Sequence, residues 1–129
     1  TDGSGNLSWT SVSGASLTNS QNADSTTTVS SSAITTIDSF AHATFRGGRY
    51  VVSIKGDQGG GDLKYETHDL LVTHDGTNAY FTQNSVKSHT GTDLCTFSVD
   101  ISGSDFRLRV INGGGGTTVY KTYRNLLNV

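Results

Sequence analysis

The stretch Phe97-Ser98-Val99-Asp100-Ile101-Ser102-Gly103-Ser104-Asp105-Phe106-Arg107-Leu108-Arg109-Val110 decides the fold. Phe97, Val99 and Ile101 alternate with Ser98 and Asp100, and Phe106, Leu108 and Val110 alternate with Arg107 and Arg109. A period of two puts the apolar set of each run on one face of a strand and the polar set on the other. Ser102-Gly103-Ser104 between the runs supplies turn chemistry, so the segment predicts an antiparallel hairpin with one buried face.

The same pattern recurs outward from this hairpin. Tyr50, Val52 and Ile54 alternate with Val51, Ser53 and Lys55, and less regular strand-like runs occupy about 39–45, 63–74, 78–83 and 117–127. That predicts roughly seven strands. Gly47-Gly48 is read as a turn before the strand that holds Tyr50, and Asp75-Gly76 as a short hairpin connection. Gly59-Gly60-Gly61 and Gly113 to Gly116 read as looser connections. Apolar residues nowhere recur at helical spacing over ten or more residues. The expected fold class is therefore all-β, an antiparallel, jelly-roll-like sandwich.

Residues 1 to 37 differ from the rest. They contain no Lys or Arg, only Asp2 and Asp24 as charges, and a Ser/Thr/Asn-rich run from Ser16 to Ser32. Short strand-like stretches remain around Asn6 to Val12 and Thr26 to Ser30. Such a segment buries too little apolar area to offset roughly 1–2 kcal/mol of backbone entropy per residue. It reads as an extended arm or linker, with residues 38 to 129 as the β-sandwich domain. Trp9 is the one large aromatic in this arm and reads as an anchor into a neighbouring subunit or the domain's own surface.

The composition excludes several function classes. Nine basic residues against 11 acidic ones give a net charge of -2, which offers no field for a nucleic-acid partner. No apolar run is long enough to span a membrane, and the first residues show no basic-then-apolar leader pattern. The single Cys95 lies in a strand pattern and reads as a small buried hydrophobe. The chain begins at Thr1 and has no Met, which reads as a processed product or part of something longer.

No catalytic or cofactor motif stands out, and the expectation is a non-enzymatic protein without cofactor or metal. His68 and His74 fall on one face of a single strand but about 20 Å apart by strand rise, too far to share an ion. Asp2-Gly3-Ser4-Gly5-Asn6 opens like a calcium loop, yet Leu7 and Ser13 stand where Gly and Glu are required. Asp57 and Asp62 flank the glycine loop 59–61, which needs no ion to turn. Gly113 to Gly116 lack the Lys and helix of a phosphate cradle. No Ser sits in a nucleophile elbow, and strand assignment alone does not bring Glu66, Asp69 and Asp100 together as a hydrolytic pair.

The candidate surface contacts are Arg107, Arg109 and Tyr80. The two arginines share the polar face of their strand, solvated or paired to a neighbouring subunit. Tyr80, with Tyr120 and Tyr123, offers aromatic faces for a sugar ring, although such residues are more often half-buried strand positions.

Two stretches carry a resemblance. Thr1-Asp2-Gly3-Ser4-Gly5-Asn6-Leu7-Ser8-Trp9 is similar to a segment that recurs between modules of phage tail-fibre-like proteins. Asp38-Ser39-Phe40, Thr44 to Tyr50, Leu70 to Thr77, Thr96 to Ile101 and Phe106 to Val110 together resemble a β-rich module of virion structural proteins of marine phages and cyanophages. The resemblance implies a virion component, tail-fibre or baseplate-associated, used for assembly or host attachment. The implied partners are other virion subunits, with a homo-oligomer, by fibre analogy a trimer, and a host surface glycan. A carbohydrate-binding module and a capsid decoration protein are the alternatives.

Overall fold

In the computed structural model, residues 17–57, 59–113 and 116–129 are described. Eight strands follow in order: β1 (Ser20–Val29), β2 (Thr35–Ala41), β3 (Phe45–Asp57), β4 (Leu63–His74), β5 (Ala79–Lys87), β6 (Cys95–Ser102), β7 (Asp105–Asn112) and β8 (Thr118–Asn128). They form two antiparallel sheets, one of five strands in the order β1-β8-β3-β4-β5 and one of three in the order β2-β7-β6. The expected all-β sandwich is the observed fold. The pairs β1·β8, β2·β7 and β4·β5 nest as in a jelly roll, while β3 pairs with β4 instead of β6. Among the described residues no helix is long and apolar enough to cross a membrane.

Alternation sets the core. Tyr50, Val52 and Ile54 on β3, Leu70 and Val72 on β4, Phe106, Leu108 and Val110 on β7, and Tyr120 and Leu126 on β8 are buried between the sheets. Leu94 and Phe97 close the side near β6, with Val99 and Ile101 partly buried beside them. Phe40 stacks on Phe106 with ring centroids 4.5 Å apart. Ile37 and Phe40 are both buried although three residues apart, an odd spacing that strict alternation forbids. The β2–β7 register shifts between Thr36 and Asp38, and this bulge supplies the extra residue.

The division expected at residue 37 is not where the fold begins. Strand β1 and the start of β2 lie before it, and β1 pairs with β8 along its whole length, from Ser20↔Leu127 to Val29↔Thr118. A composition argument weighs side chains only. This strand is held chiefly by its backbone ladder, with Val29 buried and every second side chain from Ala23 half-buried. The Asn6 to Val12 stretch lies outside the described residues.

Gly47-Gly48 is no turn; both residues are inside β3. The turn lies earlier, at residues 42–44. A Cβ on Gly47 would stand 2.2 Å from the Val72 carbonyl oxygen, and one on Gly48 2.0 Å from that of Asn125. The two glycines let the central strand's backbone approach both neighbours where β3 bends. At the β3–β4 connection Gly59, Gly60 and Gly61 all have positive φ, so here the glycines are a true turn requirement.

Arg124 ties the two sheets together. From β8 it donates to the Asp38 carboxylate at 2.7 Å, to the Ser39 carbonyl at 2.6 Å and to Gln21 at 3.2 Å. The Tyr50 hydroxyl donates to the same carboxylate at 2.8 Å. Burial first, and then the negative charge of Asp38, raise the Tyr50 pKa, so the hydroxyl stays a donor.

Candidate functional site

Among the polar groups of the described residues, three bear on a functional site. The first is the β4–β5 hairpin tip. Asp75 accepts the backbone N–H groups of Thr77 at 2.8 Å and Asn78 at 2.7 Å, an Asx-type turn that fixes the tip. The Tyr80 hydroxyl donates to the same carboxylate at 3.2 Å. Tyr80 is therefore an exposed aromatic held at one end, 52% accessible.

The backbone bonds from Asn78 and Thr77 hold the Asp75 carboxyl down at about 2. Because this folded value lies below the ordinary one near 3.9, the turn's contribution is fully present above that ordinary value. It is lost only as pH falls through about 2. Amide resonances of Thr77 and Asn78 followed during acid titration should hold their positions down to pH 3. Movement of both near pH 4 would remove the carboxylate from this role.

The second group is Arg107, Arg109 and Asp100. Arg107 Nε donates to Asp100 at 2.8 Å and its Nη2 to the other carboxylate oxygen, a bidentate grip, while Arg109 Nη1 reaches the same oxygen at 2.9 Å. Arg107's hydrogen bonds, more than its charge, hold the Asp100 carboxyl below the usual range. Both candidate arginines thus bond to Asp100 within their own hairpin, with Arg109 Nε left without a hydrogen-bond partner among the described residues. Asp105, on the same face of β7, balances the second arginine, so this polar face of the small sheet carries no excess charge.

The third group was not singled out from the sequence. Glu66 faces inward on β4, and its carboxylate accepts from His68 Nε2 at 2.6 Å, His89 Nε2 at 2.8 Å and the Leu94 backbone N–H at 2.8 Å. The Glu66 and His68 side chains are wholly inaccessible, and His89 is 10% accessible. Lys87 reinforces the same loop by donating to the Gly91 carbonyl at 2.7 Å and to Asp93 at 2.9 Å. The arrangement clasps the 88–94 connection onto β4, and no substrate reaches its centre. Among the described residues no cluster of three or more His, Cys, Asp or Glu side chains is arranged to hold a metal ion.

The remaining candidates fall apart or lie elsewhere. Tyr120 is fully buried, which removes it from any sugar-stacking platform. Tyr80 and Tyr123 are both exposed on the outer face of the five-stranded sheet. They stand three strands and four register positions apart, about 20 Å by strand rise and spacing, too far for one ring. Trp9 lies outside the described residues. His74 is buried, joined to the Phe45 carbonyl at 2.7 Å through Nε2 and to the Gly76 N–H at 3.0 Å through Nδ1, a local structural role.

Cys95 is buried at the start of β6, and burial pushes its thiol up to about 12. A disulfide-exchange reagent at pH 8 should label it only at the rate of global unfolding. Labelling in seconds without denaturant would show the β6 edge to be open.

No protein-family model matches the chain. No curated protein matches it either. Among solved structures, it is similar to the tailspike protein of Acinetobacter phage vB_ApiP_P1, with a TM-score of 0.50 and 18% identity over 96% of this chain. It is also similar to the tailspike of Acinetobacter baumannii phage AM24, with a TM-score of 0.45, 8% identity and 85% of this chain covered. A third is tailspike gp49 of Acinetobacter baumannii bacteriophage Fri1, described as a capsular polysaccharide depolymerase, with a TM-score of 0.44, 14% identity and 86% covered. The chain spans 26%, 26% and 20% of those proteins' own lengths.

What these proteins share with the chain is a fold. The expected virion location agrees with the kind of protein they are. The narrower resemblance to marine phages and cyanophages rests on the sequence alone. The expectation of a non-enzymatic protein is corrected, because one of these tailspikes is described as a depolymerase. That activity belongs to the whole of that protein.

Proposed function

We propose that the chain is a structural module of a phage tailspike or tail fibre, assembling with other virion subunits and serving host attachment. The observation that carries this reading is the structural likeness of 96% of the chain to part of a tailspike of which it spans 26%. A sandwich tied by Arg124 and by the Glu66 clasp is a stiff carrier, as a module in a load-bearing fibre requires. In this reading the residues before β1 are the assembly arm, the oligomer is a threefold homo-oligomer by fibre analogy, and Tyr80 is the residue offered to a host surface glycan.

Light scattering on the intact chain, beside a version beginning at residue 17, tests the assembly half. An oligomer that falls to monomer on truncation supports it; a monomer in both forms overturns it. For the attachment half, a Tyr80→Ala variant should bind an array of bacterial surface glycans more weakly than the intact chain. Absence of binding by the intact chain at millimolar sugar would leave assembly alone.

A further inference from the structure

Of the nine basic side chains, Arg49, Lys64, Lys87, Arg107, Arg109 and Arg124 each reach a carboxylate, and Arg46 donates to the His74 carbonyl at 3.3 Å. The remaining pair, Lys55 on β3 and Lys121 on β8, form no ion pair or side-chain hydrogen bond among the described residues. They are also neighbours. Lys121 stands opposite Ser53, and Lys55 lies two residues beyond Ser53 on the same outer face, so the two are diagonal partners about 7–8 Å apart. Like charges so placed repel. The carboxylates of this face do not relieve them, because Asp69 is held by Arg49, and Asp24, opposite Tyr123, makes no ion pair among the described residues.

Tyr65 faces Lys55 across the β3–β4 ladder and is 49% accessible. Ser53, Lys55, Tyr65, Val119 and Lys121 line one opening of about 380 Å³ on the outer face of the five-stranded sheet. We infer that this opening is a second carbohydrate subsite, for a pyranose that bears a carboxylate. The ring rests against Tyr65, the carboxylate lies between the Lys55 and Lys121 ammonium groups, and the Ser53 hydroxyl meets a sugar hydroxyl.

The lining sets the class of ligand. An aromatic side chain offers its apolar face to the C–H side of a sugar ring, and two ammonium groups without a counter-charge favour an anion over a neutral group. The volume falls within the range of about 300–1,000 Å³ usual for small-molecule sites. A nucleic acid fits poorly, since two lysines on a chain of net charge -2 give no field that extends along a phosphate backbone. The subsite is separate from Tyr80. Tyr80 pairs with Thr73, eight residues along β4 from Tyr65, which is about 26 Å by strand rise. The inference rests on the attachment reading only for the source of the sugar, a host surface; binding to the chain is tested by itself.

Titration of the isotope-labelled full chain with trigalacturonate at low salt, followed by backbone amide shifts, makes that test. Shifts should gather at residues 53–55, 65 and 119–121, and maltotriose, a neutral trisaccharide, should cause none there. The double variant Lys55→Gln with Lys121→Gln should bind trigalacturonate about tenfold more weakly, and Tyr65→Ala about fivefold. Both alter exposed side chains and should keep the melting midpoint. Tyr80→Ala should bind it as the unaltered chain does. No shifts at these residues, or unchanged affinity in the double lysine variant, overturns the inference. Equal shifts with inorganic phosphate would make the pair a general anion patch and overturn the sugar assignment. Affinity lost in Tyr80→Ala but kept in the lysine variant would move the acidic sugar to Tyr80 and overturn it too. A positive titration beside a silent array of bacterial surface glycans would remove host attachment and uphold the subsite.

Discussion

Replacement of Glu66 by alanine is expected to lower the unfolding free energy by about 3–5 kcal/mol, the usual cost of removing one partner from a buried charged cluster. The carboxylate accepts three hydrogen bonds, from His68 Nε2, His89 Nε2 and the Leu94 N–H. His68 is fully buried and its Nδ1 is already unpaired, so losing Glu66 would leave both ring nitrogens without a partner. Leu94, 1% accessible, would lose the anchor that turns the 88–94 connection into the core. Equilibrium unfolding in urea measures the effect. Glu66→Gln keeps one acceptor oxygen and should cost less than Glu66→Ala. His89→Ala, at the accessible rim, should cost less than His68→Ala. A loss below about 1 kcal/mol for Glu66→Ala would mean that water replaces the carboxylate and that the clasp does not stabilise the loop.

Phe106→Ala should be of similar size, about 3–5 kcal/mol, for an independent reason. Phe106 is fully buried on β7, stacked on Phe40 and tilted against His74 at 6.3 Å. Its loss would open a cavity at the point where β2, β7 and the end of β4 meet. His74 is fixed by bonds from both ring nitrogens and cannot move to fill it. Guanidinium unfolding should show a lower midpoint with an unchanged slope, the mark of a weakened native core. Tyr80→Ala, on the opposite side of the sheet, should stay within about 0.5 kcal/mol. Equal losses for the two would mean that the outer-face aromatic is as well packed as the core one.

The two predictions differ in how far their residues were legible. Phe106 announces itself: it begins a run in which every second residue is apolar, and such a run has one buried face whatever lies opposite. Glu66 sits in an alternation of the same kind, Glu66, His68, Leu70, Val72 and His74, but polar residues hold three of its five inward positions. That polar-inward pattern on a strand is the signal a closer reading would have followed. Its partner His89 lies 23 residues away in a loop, and no local rule links the two.

The arginines show the reverse case. Their shared polar face follows from strand periodicity, while their engagement with Asp100 depends on the β6–β7 register, in which Asp100 pairs with Arg107. A Gly-Gly pair such as Gly47-Gly48 has two uses, turning a chain or admitting a neighbouring backbone. Only the neighbours on both sides of β3 distinguish them.

By itself, the sequence determined what is local: strands, their buried faces, the Asp75-Gly76 and Ser102-Gly103-Ser104 hairpins and the all-β class, because side-chain alternation and turn geometry act over two to four residues. The tertiary structure alone decided that β1 belongs to the sandwich, that Glu66, His68 and His89 form one cluster, and that Lys55, Tyr65 and Lys121 line one opening. Each of these depends on which distant strands lie side by side. Sheet order is set by how the chain buries all its apolar faces at once, and that is a property of the whole chain.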